Sequence, residues 1–289
     1  MKSLPDFNDD NPLHDKNTPL RQADVDRLTT CDPILLRLLE QTATRLKKPS
    51  SELRVLDFGC GKGRMVARLH QDGYDGYGVE VNPLYVYNGS LYLEEKYARA
   101  NLISLLDEEG HSHFPDGFFD VVYSYMVFEH VQNLGPVLRE TGRLMAPSAL
   151  ALHIFPSAHC LVEPHMLLPL VHWLPKGHTL QAAIHVLLAL GLGAPCFNEF
   201  SNRDRAAIFS KFSETDTFYR TRGELARLFS EYGFKLRNVE REKLMCRGGL
   251  AARVAGSFGV GTLGAWAYRE FYHTYLLASK NDAIFHFKA

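Results

Sequence analysis

Arg54-Val55-Leu56-Asp57-Phe58-Gly59-Cys60-Gly61-Lys62-Gly63-Arg64 reads as a short buried strand, an acidic residue, three glycines on alternate positions, and the start of a helix. Branched apolar residues fit a central strand. The glycines allow positive φ and let a ligand approach the backbone closely. The following helix, with Met65, Val66 and Leu69 on one face, aims its N-terminal amides at whatever lies over the glycines.

Two ligand classes use such a turn. A dinucleotide site wants G-x-G-x-x-G, but here the glycines are 59, 61 and 63 and position 64 is arginine. A carboxylate two residues before the first glycine would also repel a pyrophosphate, whereas a cationic ligand reverses that sign. The run resembles the first motif of class I S-adenosylmethionine (SAM) methyltransferases, acidic-x-Gly-x-Gly-x-Gly. The resemblance implies that Asp57, Gly59, Cys60, Gly61 and Gly63 bind SAM, the glycines passing under its methionine part.

The next stretch, 77–81, reads as a second strand stopped by Asn82-Pro83, with Glu80 at its end, 21 residues after Gly59. In nucleoside-binding α/β folds a carboxylate there accepts both ribose hydroxyls, because its two oxygens match a vicinal diol. This feature suits SAM and NAD alike. Residues 101–106 read as a third strand, and the resemblance implies an adenine contact just beyond it, at Asp107 or its rival Glu108. Leu105-Leu106 departs from the Gly-Asp often found there in the family. Residues 114–131 read as a turn, a fourth strand over 121–125, and Glu129-His130. This block resembles the "lP-x-x-sFD-x-V" segment of small-molecule methyltransferases. A helix over 131–145 stopped by Pro147, then a fifth strand over 149–155, complete the alternation. Such alternation predicts a parallel sheet with right-handed crossovers. Gly59, Glu80, Asp107 and Tyr125 all map to its C-terminal edge, where ligands bind.

The remainder departs from the plain pattern. A sixth strand is expected over 234–240, and an antiparallel last strand over 273–279. The expected fold is a Rossmann-like three-layer sandwich, with a mostly parallel seven-stranded sheet and helical cap insertions. The expected organisation is a flexible N-terminal lead-in over 1–30, with a lid as its alternative, then one methyltransferase domain over 31–289. Its caps are placed at 156–213, a substrate lid, and at 244–271, a glycine-rich apolar segment suited to an acceptor, a membrane surface or a dimer contact.

Bulk properties fit a globular enzyme. The chain has 289 residues, a formal net charge of −1 and 46% hydrophobic residues, enough for a sizeable core. The near-neutral charge argues against nucleic acid as the main partner. Five scattered cysteines without a Cys-x-x-Cys pair suit reduced thiols and a cytoplasmic setting. The apolar run over 180–190 falls short of the roughly 20 residues of a membrane span.

Methyl transfer to oxygen or nitrogen is assisted by a general base when the acceptor must lose a proton, and histidine is the usual choice. His130 and His165 are the candidates, each with a structural role as the plainer reading. Six histidines, 153, 159, 165, 172, 178 and 185, recur every five to seven residues. That spacing fits neither an i,i+4 helical pair nor a compact zinc site, so no metal site is expected. The function that follows is SAM-dependent methylation of a small or lipid-linked metabolite. The alternatives are a nicotinamide-dependent oxidoreductase and a non-catalytic SAM-binding or membrane-docking module.

Overall fold

The computed structural model describes residues 4–5, 7, 16–28, 31–246 and 260–280. The strand that leads into the glycines, β1 (Arg54–Phe58), is an inner strand, third of seven, in the main sheet. Its companions are β2 (Asp75–Glu80), β3 (Ile103–Leu105), β4 (Phe119–Tyr125), β5 (Met145–Pro156), β8 (Lys235–Asn238) and β9 (His273–Ser279). The order is β3-β2-β1-β4-β5-β9-β8. Strands β1 to β5 pair in parallel, and β9 is antiparallel to both β5 and β8. This is the expected sheet, down to the antiparallel strand at 273–279.

Alternation of side chains builds the two outer layers. Leu56, Val122, Ala151 and Leu276 face one side, with helices α3 (Arg64–Gln71), α4 (Pro83–Tyr97), α5 (Leu134–Leu144) and α8 (Arg222–Glu231). Val55, Val121, Leu150, Leu152 and Leu277 face the other, against α2 (Pro33–Leu46). Helix α2 begins as the sequence dictates: Asp32 caps the Ile34 amide at 3.0 Å, and Pro33 fills the first turn.

Strand β5 starts earlier than expected, directly after α5. Pro147 does not stop it, because its partner register jumps from Phe119↔Met145 to Val121↔Leu150. A proline in that irregular stretch is not required to donate to the ladder.

The segment after β5 has its own core. A two-stranded hairpin of β6 (Val162–Glu163) and β7 (Leu168–Pro169) leads to α6 (His178–Ala189) and α7 (Asn202–Thr215). Leu180, Ile184 and Leu188 on α6 bury against Phe209 and Phe212 on α7, together with Phe7. Of the glycine-rich second insertion, 247–259 lies outside the described residues. Its flanks are α9 (Glu240–Cys246) and α10 (Val260–Phe271). Among the described residues no helix is long and apolar enough to cross a membrane.

Candidate functional site

Three glycines make the turn after β1 possible. Gly59, Gly61 and Gly63 have φ of 78°, 54° and 77°, a region costly for other residues. A side chain at Gly59 would strike Val127 at 2.5 Å, whereas one at Gly61 would project into open space. The turn is pinned to β2: the amides of Gly59 and Cys60 both donate to the Val79 carbonyl, at 2.8 and 3.0 Å.

That open space is a cavity of about 830 Å³, within the range of small-molecule sites. Asp57, Gly59, Cys60, Gly61 and Tyr125 line it, so the structure brings these expected site residues together. Asp57 is only 6% exposed. Burial, and then the charge of Glu80, push its carboxyl up to about 7. An acid held this way at a cavity wall is stabilised in its charged form by a cation and destabilised by an anion.

The other expected cofactor residues stand elsewhere. Gly63 caps α3 behind the turn. Glu80 is buried, and its oxygens accept from the amides of Gly61 (2.8 Å), Val81 (2.8 Å) and Asn82 (3.0 Å). A carboxylate offers about four lone-pair positions, so three of them brace the backbone around the turn. Asp107 lies in a turn after β3, and its carboxylate accepts from the His111 amide at 2.8 Å. Neither Asp107 nor Glu108 lines the cavity.

The cavity's roof comes from the lead-in, where the sequence supports a lid only as the alternative to a flexible tail and marks no residue of it. Thr18, Leu20, Arg21, Asp24, Arg27 and Leu28 line it, around a short helix α1 (Gln22–Asp26). This part of the lead-in does not behave as a flexible tail. Leu20 and Val25 are buried in the main core, the Leu20 amide donates to the Asn88 carbonyl at 3.1 Å, and Lys62 Nζ donates to the Thr18 carbonyl at 3.0 Å. The physical reason is that two well-placed apolar side chains and a few backbone bonds anchor a segment too polar to advertise itself.

His130 and His165 also come together, outside the cavity lining. Their Nε2 atoms are 3.1 Å apart. His130 Nδ1 is 2.8 Å from the Asp216 carbonyl, and His165 Nδ1 is 2.7 Å from Glu163 Oε1. Glu163 is fully buried and also accepts from the amides of His165 and Met166 and from the Tyr219 hydroxyl. Burial opposes the charges here, yet hydrogen bonds hold Glu163 below its ordinary value and His165 above its own. Burial, then His165, lowers His130 to about 4. Burial raises Glu129 to about 7.

Comparisons with known proteins identify the family. The family described as "Methyltransferase domain" matches residues 26–239, well over half of the chain. A ubiquinone biosynthesis O-methyltransferase of Azorhizobium caulinodans is 30% identical over 139 residues, 47% of this chain and 53% of that protein. A probable tocopherol O-methyltransferase of Oryza sativa subsp. japonica is 30% identical over 119 residues, 41% of this chain and 32% of that protein. The chain spans about half the length of the curated relatives it matches first. Among solved structures, a SAM-dependent methyltransferase from Mesorhizobium loti is 14% identical, covering 83% of this chain and 97% of its own, at a TM-score of 0.47. The sheet order, the acidic-glycine turn and the family match lead to one conclusion: this chain belongs to the methyltransferase-domain family and is of the class I, SAM-dependent type.

Proposed function

We propose that this protein transfers a methyl group from SAM to an oxygen or nitrogen of a small or lipid-linked metabolite in the cytoplasm. The observation that carries the proposal is the cavity bounded by the positive-φ glycines and the buried Asp57. The residues present fit the cofactor: the wall at Gly61 is open to a close backbone approach, and the buried acid suits a ligand with a cationic centre. Bound there, SAM supplies a methyl already attached to a sulfonium leaving group. Gly59 and Gly61 would give it a close backbone surface and Asp57 would balance its positive charge, while Glu80 holds the turn and would have a lone pair left for a ribose hydroxyl. The lead-in at 16–28 covers the cavity and limits water, which alignment-driven transfer requires. The acceptor is assigned to the side of the fold that carries Glu129, His130 and His165, where the loop after β4 meets the segment after β5. An oxygen acceptor is supported by the two O-methyltransferase relatives. The five free cysteines support the cytoplasmic placement.

Methyl-labelled SAM incubated with prenylated phenols and with their unprenylated counterparts tests the acceptor class. Label transfer to a phenol oxygen is expected; transfer to none of a broad set of hydroxyl and amine acceptors would overturn the activity.

A further inference from the structure

The Glu129, His130 and His165 cluster contains an electrostatic problem that its hydrogen bonds do not solve. A carbonyl can only accept, so the bond to Asp216 O places a proton on His130 Nδ1, and the neutral ring then presents a bare Nε2. The carboxylate of Glu163 asks the same of His165 Nδ1. Two bare Nε2 atoms 3.1 Å apart repel unless a positive centre lies between them. A proton shared by the rings would satisfy the two nitrogens and nothing more. Glu129 would stay unmet: its side chain is 1% exposed, and neither of its oxygens has a hydrogen-bond partner among the described residues. Its Oε1 is 4.0 Å from His165 Nε2, beyond hydrogen-bond range. An unpartnered buried carboxylate is costly.

We infer that Glu129, His130 and His165 form a binding site for a divalent transition-metal ion of the zinc type. One ligand atom from each lies within 4.8 Å of the others. Two imidazole nitrogens on one such ion, at ~2.0–2.1 Å, stand roughly 2.9–3.4 Å apart between octahedral and tetrahedral angles, a span that includes the 3.1 Å found. A small side-chain approach by Glu129 completes the set. The outer shell is already built, since each imidazole is oriented through Nδ1 by an oxygen, as metal-bound histidines usually are. Phe212 covers both rings, at 6.1 and 5.4 Å between centroids. Two nitrogens and one carboxylate favour zinc, cobalt or iron over magnesium. Three protein ligands leave a position for water or an oxygen of the acceptor. The ion also joins the loop after β4, which carries Glu129 and His130, to the cap, which carries His165. Linear spacing hid this site, because its histidines are 35 residues apart.

Cobalt(II) titration of the metal-stripped full chain tests the site through the visible d–d bands, with no reliance on methyl transfer or on SAM. One Co²⁺ per chain is expected, displaced by Zn²⁺. Glu129→Gln, which keeps the shape of the side chain, weakens Co²⁺ affinity at least tenfold, and His165→Ala abolishes the bands, with folding of each variant checked by circular dichroism. His185→Ala, at an exposed position on α6, leaves affinity unchanged. No saturable uptake by the wild type, or the same affinity in Glu129→Gln, would overturn the inference.

Discussion

Asp57→Asn separates the stability of the empty protein from its affinity for a cation. In the folded chain the Asp57 carboxyl is raised from 3.8 to about 7, mainly by burial and then by Glu80. Between pH 4 and 7 the unfolded chain has lost this proton and the folded chain keeps it. The folded state therefore binds more protons, and stability falls as pH rises through that window. At about 1.36 kcal/mol per pH unit, the cost reaches roughly 4 kcal/mol above pH 7, of which about 3 kcal/mol accrues between pH 5 and 7. Asparagine has no such charge to bury. Thermal melts of the empty protein should show Asp57→Asn gaining on the wild type from pH 5 to pH 8, by several degrees in Tm at the ~2–4 °C per kcal/mol usual for this size. Calorimetry at pH 8 should show the opposite for the ligand, with SAM affinity at least tenfold weaker in the variant. An equal Tm change at both pH values, or undiminished SAM affinity, would refute the reasoning.

Other substitutions test the frame around the site. Gly89→Ala on α4 places a methyl 2.4 Å from the Lys62 carbonyl oxygen and 3.0 Å from Ile103 Cδ1; overpacking of this kind costs about 1–3 kcal/mol, read by urea melts, although alanine normally favours a helix over glycine. Gly61→Val puts a branched side chain into the cavity mouth at φ 54°; SAM binding should be lost in calorimetry while the melt falls by only about 1–2 kcal/mol. Deleting residues 1–28 removes the roof with the buried Leu20 and Val25, and both the Tm and SAM affinity should fall. Asp120→Asn weakens the contacts to Lys48 Nζ (2.9 Å to each oxygen) and to the Arg54 amide (3.1 Å) that tie the end of α2 to β1 and β4; a loss of about 1–3 kcal/mol is expected from denaturant melts.

The central sheet was legible because its strands are short apolar runs broken by glycine, proline and acids, and each such break has a backbone cause. The turn at 59–63 declared itself because only glycine tolerates three positive φ values in five residues. The start of β5 was hidden by Pro147, since a register irregularity that excuses a proline leaves no sequence mark. Glu80 was read as a ribose ligand, whereas in the structure most of its capacity braces amides at 61, 81 and 82. A strand-end carboxylate looks the same in sequence whether it faces a sugar or its own backbone. The roof and the His130–His165 contact depend on long-range packing. Glu163 meets Tyr219 across 56 residues and His130 meets Asp216 across 86, and no local pattern encodes either pairing.

Isothermal calorimetry with SAM on the wild type and on Glu80→Ala addresses the cradle at 57–63 most directly. One saturable SAM per chain is predicted, with affinity reduced at least tenfold in Glu80→Ala because the Gly61 amide loses its brace. No SAM binding by the wild type, tighter binding of NADH than of SAM, or undiminished SAM affinity in Glu80→Ala would contradict it.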